Sequence, residues 1–168
     1  MTSNSANKVA IFQANTKREA GSKLSAPKVE DIQVENNGNI SLTGKNSAGL
    51  ATSFGTVINT SNISSTGENG VGIYAADSSI VKNTGTIQVG TNGVGIFSEN
   101  DLKIGGTSTA ISEKKNINIT NTGTIKAKDN STGVYGIYAK NDKTNYKDAI
   151  STVNHSGNID LSNAKSSV

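Results

Sequence analysis

Ser79-Ile-Val-Lys-Asn83-Thr-Gly85-Thr-Ile87-Gln-Val89-Gly-Thr-Asn-Gly93-Val-Gly-Ile96-Phe97-Ser98 is the stretch that decides the fold. It divides into three short segments parted by two turns. Residues 79–83 end at the turn Asn83-Thr84-Gly85, and residues 86–89 alternate polar and apolar, so Ile87 and Val89 share one face. After the turn at 90–93, residues 94–98 form a third segment, with Val94 and Ile96 expected on the inner face. Both halves of this pattern recur along the chain. The first returns as Val34-Glu-Asn36-Asn-Gly38-Asn-Ile40, Val57-Ile-Asn59-Thr-Ser61-Asn-Ile63, Ile119-Thr-Asn121-Thr-Gly123-Thr-Ile125 and Val153-Asn-His155-Ser-Gly157-Asn-Ile159. The second lies between these copies, as Val9-Ala-Ile11-Phe12, Ala48-Gly-Leu50-Ala51, Val71-Gly-Ile73-Tyr74 and Tyr135-Gly-Ile137-Tyr138. Two alternating motifs at a fixed rhythm describe a stacked array rather than a domain built around one central site.

From Ile40 to Ile63 is 23 residues and from Ile63 to Ile87 is 24, so one regular coil carries three short strands and three turns. That is an all-β chain, a parallel β-helix. Its inner rows are predicted as Val34, Val57, Val81, Ile119 and Val153; then Ile40, Ile63, Ile87, Ile125 and Ile159. A third is Leu42, Ser65, Val89, Ala127 and Leu161, with Ser65 the odd member, and a fourth is Ile11, Leu50, Ile73, Ile96 and Ile137. Asn36, Asn59, Asn83 and Asn121 fall at one corner of successive coils. Asn tolerates the left-handed backbone of a sharp corner, and stacked amides can hydrogen-bond along the axis. His155, the one histidine, takes the same place in the last copy and reads as a corner residue standing in for Asn.

Composition agrees with a solenoid. Of 168 residues only 33% are hydrophobic and 4% aromatic, too little for a spherical core but enough for a column one side chain deep. The net charge is +3 with the two signs interspersed, which gives no argument for a nucleic-acid partner. The absence of Cys removes disulfides and thiolate metal or redox sites. No apolar run reaches the ~18 residues of a membrane-spanning helix, and Thr2-Ser-Asn-Ser-Ala-Asn7 lacks the apolar stretch of a signal peptide. Because the chain starts and stops inside repeats, it reads as one solenoid segment, 1–168, cut from a larger protein, with end-to-end self-association expected of its uncapped coils.

The rhythm lengthens in three places, always after the third strand. Insert loops are therefore expected at about 13–33, 98–118 and 139–152, leaving one edge and carrying most of the charge. Candidate partner-binding residues on them are Lys17, Arg18, Asp101, Lys103, Lys114, Lys115, Lys143 and Lys147. A second candidate surface is the row Phe12, Tyr74, Phe97 and Tyr138, interrupted by Ala51, whose rings follow the inward Ile and should point outward. The corresponding bland readings are solvated loops on a rigid scaffold and rings that merely shield the sheet. Gly70-Val-Gly72 and Gly93-Val-Gly95 lack the third glycine and following helix of a dinucleotide loop. Asp31, Asp77, Asp129 and Asp160 stand apart, without the paired carboxylates of a glycosidase or the spacing of a calcium loop. No catalytic, cofactor or metal site is expected.

The motif pair Val-x-Asn-Thr-Gly-Thr-Ile and Val-Gly-Ile-Tyr/Phe-Ala/Ser, from about residue 34 to 161, resembles the passenger repeats of Gram-negative autotransporter adhesins, the fusobacterial outer-membrane type above all. The resemblance implies a right-handed β-helix displayed outside the cell and anchored in the outer membrane through a barrel that this chain lacks. It further implies a virulence-associated role in adhesion to a host or bacterial cell-surface protein or glycan. The reading from a different class is a β-helical carbohydrate-active enzyme or phage tailspike-like segment, which would show acids clustered on one sheet. A plain spacer is the third.

Overall fold

The computed structural model describes residues 1–14, 17–18, 24–25, 33–100, 116–141 and 149–167. It is a right-handed parallel β-helix. The first coil holds β1 (Thr2–Ser3), β2 (Val9–Ala14) and, beyond an antiparallel hairpin of β3 (Lys17–Arg18) and β4 (Leu24–Ser25), β5 (Gln33–Asn36). The next coils are β6 (Ile40–Leu42), β7 (Ala48–Ser53) and β8 (Thr56–Asn59), then β9 (Asn62–Ser65), β10 (Val71–Ala76) and β11 (Ile80–Asn83). They continue as β12 (Thr86–Val89), β13 (Val94–Asn100) and β14 (Ile117–Asn121), then β15 (Thr124–Ala127), β16 (Tyr135–Asn141) and β17 (Ser151–His155), and end on β18 (Asn158–Asp160). Coils stack into three parallel sheets: β1-β6-β9-β12-β15-β18, β2-β7-β10-β13-β16 and β5-β8-β11-β14-β17.

The predicted rows are in register. Val34, Val57, Val81, Ile119 and Val153 pair strand to strand, as do Ile40, Ile63, Ile87, Ile125 and Ile159. Ile11, Leu50, Ile73, Ile96 and Ile137 form the inner row of the second sheet. The central members of all these rows are buried, and each contributes roughly 1.5–3 kcal/mol of apolar transfer at a spacing of about 4.8 Å. Ser65, the polar member of its row, is buried and satisfied: its hydroxyl donates to the Ser47 carbonyl at 3.0 Å.

The interior corrects the expectation for Val94. It is half-buried, and Gly95 takes the inward position beside Ile96. The same holds in every coil where the motif carries glycine. A Cβ on Gly49, Gly72, Gly95 or Gly136 would lie 2.3–2.8 Å from the Cγ2 of Ile63, Ile87, Ile125 or Ile159 respectively. The glycine of one motif thus makes the hole that the isoleucine of the other fills, which is why the two motifs travel together. None of these four glycines has positive φ, so the requirement is space, not backbone freedom. Gly72→Ala should therefore cost about 2 kcal/mol by overpacking and lower the melting temperature by about 6 °C. Calorimetry showing an unchanged melting temperature would refute this packing.

The asparagine corner is corrected in part. Asn36, Asn59, Asn83 and Asn121 are buried, and none has positive φ. The left-handed asparagines are instead Asn7, Asn46, Asn69, Asn92 and Asn130, at the turns leading into the second sheet. The amide ladder itself is present. Asn36 Nδ2 donates to Asn59 Oδ1 at 2.8 Å, Asn59 to Asn83 at 2.8 Å, and Asn83 to Asn121 at 2.6 Å. The other Nδ2 hydrogen goes to a carbonyl two residues on, that of Ser61 for Asn59 and Gly85 for Asn83. A flipped amide would set oxygen against oxygen there, so the ladder has one polarity throughout. Asn121 Nδ2 ends it 3.0 Å from His155 Nδ1, and the histidine stands in for Asn as its place in the motif implied.

Candidate functional site

The second sheet carries both candidate surfaces. Its strands show why the rings face out. Because Gly72 and Ile73 both face the interior, Val71 and Tyr74 flank them on the outer side, and the same break of alternation repeats in β13 and β16. Tyr74, Phe97 and Tyr138 are in-register neighbours on adjacent strands. Tyr74 meets Phe97 edge to face with centroids 5.6 Å apart, and Phe97 meets Tyr138 at 5.5 Å with a 40° tilt. Such pairs contribute about 0.5–1.5 kcal/mol beyond their burial. Tyr74 and Phe97 are half-buried, and Tyr138 is exposed. Phe12, at 65% exposure, is separated from them by Ala51.

Two residues join this face that the sequence reading left out. Tyr135 lies 5.8 Å from Tyr138, centroid to centroid, making a cluster of four rings. It occupies the valine position of the Val-Gly-Ile motif, which alternation had assigned inward. Glu99 accepts a 2.5 Å hydrogen bond from the Tyr74 hydroxyl, and it pairs in register with Lys140. The cluster is therefore a patch of mutually tilted rings, with the Glu99 carboxylate bonded to one of them and Lys140 on the neighbouring strand. Its chemistry is stacking and hydrogen bonding.

The inserts leave this same sheet. Each long connection follows a strand of the second sheet, β2, β13 or β16, and leads to the next strand of the third, β5, β14 or β17. Their expected boundaries are too wide. Gln13 and Ala14 pair with Thr52 and Ser53, and Ser98–Asn100 pair with Ala139–Asn141. Asn100 Nδ2 donates to Asn141 Oδ1 at 2.9 Å, so the ladder runs on to these residues instead of opening into loop. Lys17 and Arg18 form β3 of the hairpin. Asp101, Lys103, Lys114, Lys115, Lys143 and Lys147 lie outside the described residues.

The Glu68 carboxylate, 2.5 Å from Lys45 Nζ, raises the Lys45 ammonium through its hydrogen bond and charge. The Ser162 hydroxyl and backbone N–H lower the Asp160 carboxyl. Both pairs lie at or beside turns. Among the described residues, no three His, Cys, Asp or Glu side chains are grouped to hold a metal. Comparison with protein-family models, with curated proteins and with solved structures returns no match.

Proposed function

We propose that this chain is a non-enzymatic, surface-displayed segment of an autotransporter-type passenger, a rigid β-helical scaffold that presents one adhesive face. One observation carries the reading. The ring cluster Tyr74–Phe97–Tyr138–Tyr135 and the departure points of all three inserts belong to a single sheet. The first sheet, by contrast, turns Ser41, Ser64, Gln88 and Lys126 outward. A ring platform bordered by mixed charge suits a glycan or an apolar protein surface on a host or bacterial cell, with modest and salt-sensitive affinity.

Binding of the purified chain to host cells, bacterial cells and a glycan array tests this. Phe97→Ala with Tyr138→Ala should leave the circular dichroism spectrum in place and weaken binding about tenfold, the loss of one stacking anchor. Replacing 101–115 by a turn patterned on 77–79 should also keep the fold and reduce binding, since β10 and β11 are already joined that way. Retention of full binding by both variants would overturn this face as the adhesive one, and no binding by the parent would leave the segment as a spacer.

A further inference from the structure

The outer face of the second sheet is uneven in a regular way. Strand β7 turns out only small side chains, Ala48, Ala51 and Ser53. In the same three columns β16 turns out Tyr135, Tyr138 and Lys140. Between them β10 presents Val71, Tyr74 and Ala76, and β13 presents Val94, Phe97 and Glu99. The residues that alternate with these face the lumen: Leu50, Thr52, Ile73, Ala75, Ile96 and Ser98 are all buried.

Strand β7 is a notch, because Phe12 rises on one side of Ala51 and Tyr74 on the other. Packing inside the coil does not call for alanine there, since Ala48 and Ala51 point away from the lumen. Strand β16 is a ridge, where the Tyr138 ring packs on those of Phe97 and Tyr135. Notch and ridge lie three strands apart in the sheet, about 14 Å at the usual strand spacing.

We propose that this face pairs with the same face of a second copy, the two coil stacks running in opposite directions about a two-fold axis that lies along the strands, between β10 and β13. The inference rests on the adhesive face described above and names its partner. The axis sets β7 of each copy over β16 of the other, and β10 over β13. Each Tyr138 then enters the notch at Ala51 of the other copy, and each Tyr135 lies on Ala48. Val71 meets Val94 and Tyr74 meets Phe97. Lys140 reaches over Ser53 and Glu99 over Ala76, so neither charge meets its like. Sheets packed face to face sit about 10 Å apart with interleaved side chains, so a large residue needs a small one opposite. A two-fold contact must also be self-complementary, with every contact made twice. Stacks running in the same direction would set ridge on ridge and notch on notch, crowding one end of the face and leaving a gap at the other. Four strands a side make a small contact, toward the low end of specific interfaces, so the dissociation constant should be on the order of 100 μM. Pairing this weak becomes firm when many copies meet at once.

Sedimentation equilibrium of the whole chain, from about 10 μM to about 1 mM, should show a reversible monomer–dimer equilibrium. Exchanging the sizes then tests the register. Ala51→Tyr fills the notch and Tyr138→Ala removes the ridge, and each alone should weaken the dimer by about tenfold or more. An equimolar mixture of the two variants should recover association to within about threefold of the parent, because the mixed pair holds one native Tyr138–Ala51 contact and one with the sizes exchanged. End-to-end stacking predicts no such recovery. Ala48→Tyr with Tyr135→Ala provides a second pair of variants should either of the first two lose the circular dichroism spectrum of the fold. Folded single variants that associate as the parent does, or a mixture no tighter than its components, would overturn the pairing. A parent that stays monomeric at the highest concentration yet still binds cells would overturn the pairing alone and leave the adhesive face standing.

Discussion

Ile87→Asp should unfold the middle of the stack, at a cost of at least about 4 kcal/mol. Ile87 is fully buried between Ile63 and Ile125 in its row, and its Cγ2 fills the space left by Gly72. A carboxylate there has no cation within the apolar column, so it either stays charged and unsolvated or takes up a proton and still loses the packing. The loss is a large part of the 5–15 kcal/mol that stabilises a typical domain. In a solenoid each coil is held only by its neighbours, so a defect in the fourth of five coils parts the stack into two shorter pieces. Ile159→Asp is the control, because that side chain is 36% exposed on the last strand and should cost about 1 kcal/mol or less. Urea denaturation of both variants measures the difference. Equal midpoints would mean that the row does not form a continuous core.

Asn83→Asp should cost about 3 kcal/mol at neutral pH, from a change of one atom. Asn83 is 1% exposed; its Oδ1 accepts from Asn59, and its Nδ2 donates to Asn121 Oδ1 and to the Gly85 carbonyl. A carboxylate keeps the first bond and sets a charged oxygen against the two acceptors. The protonated acid restores one donor, so the folded state favours it and holds the new carboxyl above its unfolded value. With that sign, the penalty is small below about pH 4 and grows as pH rises through the folded-state value. Thermal melts of variant and parent between pH 3 and 7 should therefore diverge upward in pH. A difference independent of pH would mean that the amides are not in hydrogen-bonding contact.

The inner rows and their register were legible in the chain because they depend on local properties. Short alternating segments place Ile40, Ile63, Ile87 and Ile125 on one face, and the repeat sets each beside the next. The outward direction of Tyr74, Phe97 and Tyr138 followed from the same alternation. What alternation did not reveal was decided where it stops. Gly72 and Ile73 point the same way because the lumen needs room for Ile87, and a residue without Cβ leaves no trace in a hydrophobic pattern. That one irregularity turned Val94 away from the core and brought Tyr135 to the ring cluster. Likewise the motif located the stacked asparagines but not their role. The sharp corners fell to Asn46, Asn69 and Asn92, while Asn59 and Asn83 sit in the interior as an amide ladder. Strand ends, too, were tertiary matters: Glu99 and Asn100 stay in the sheet because Lys140 and Asn141 lie beside them. Sequence alone determined that the chain is a stack of coils and which residues recur. Only packing between coils decided how each corner turns, where each insert begins and which rings meet, because those depend on neighbours one coil away rather than on the residues next in line.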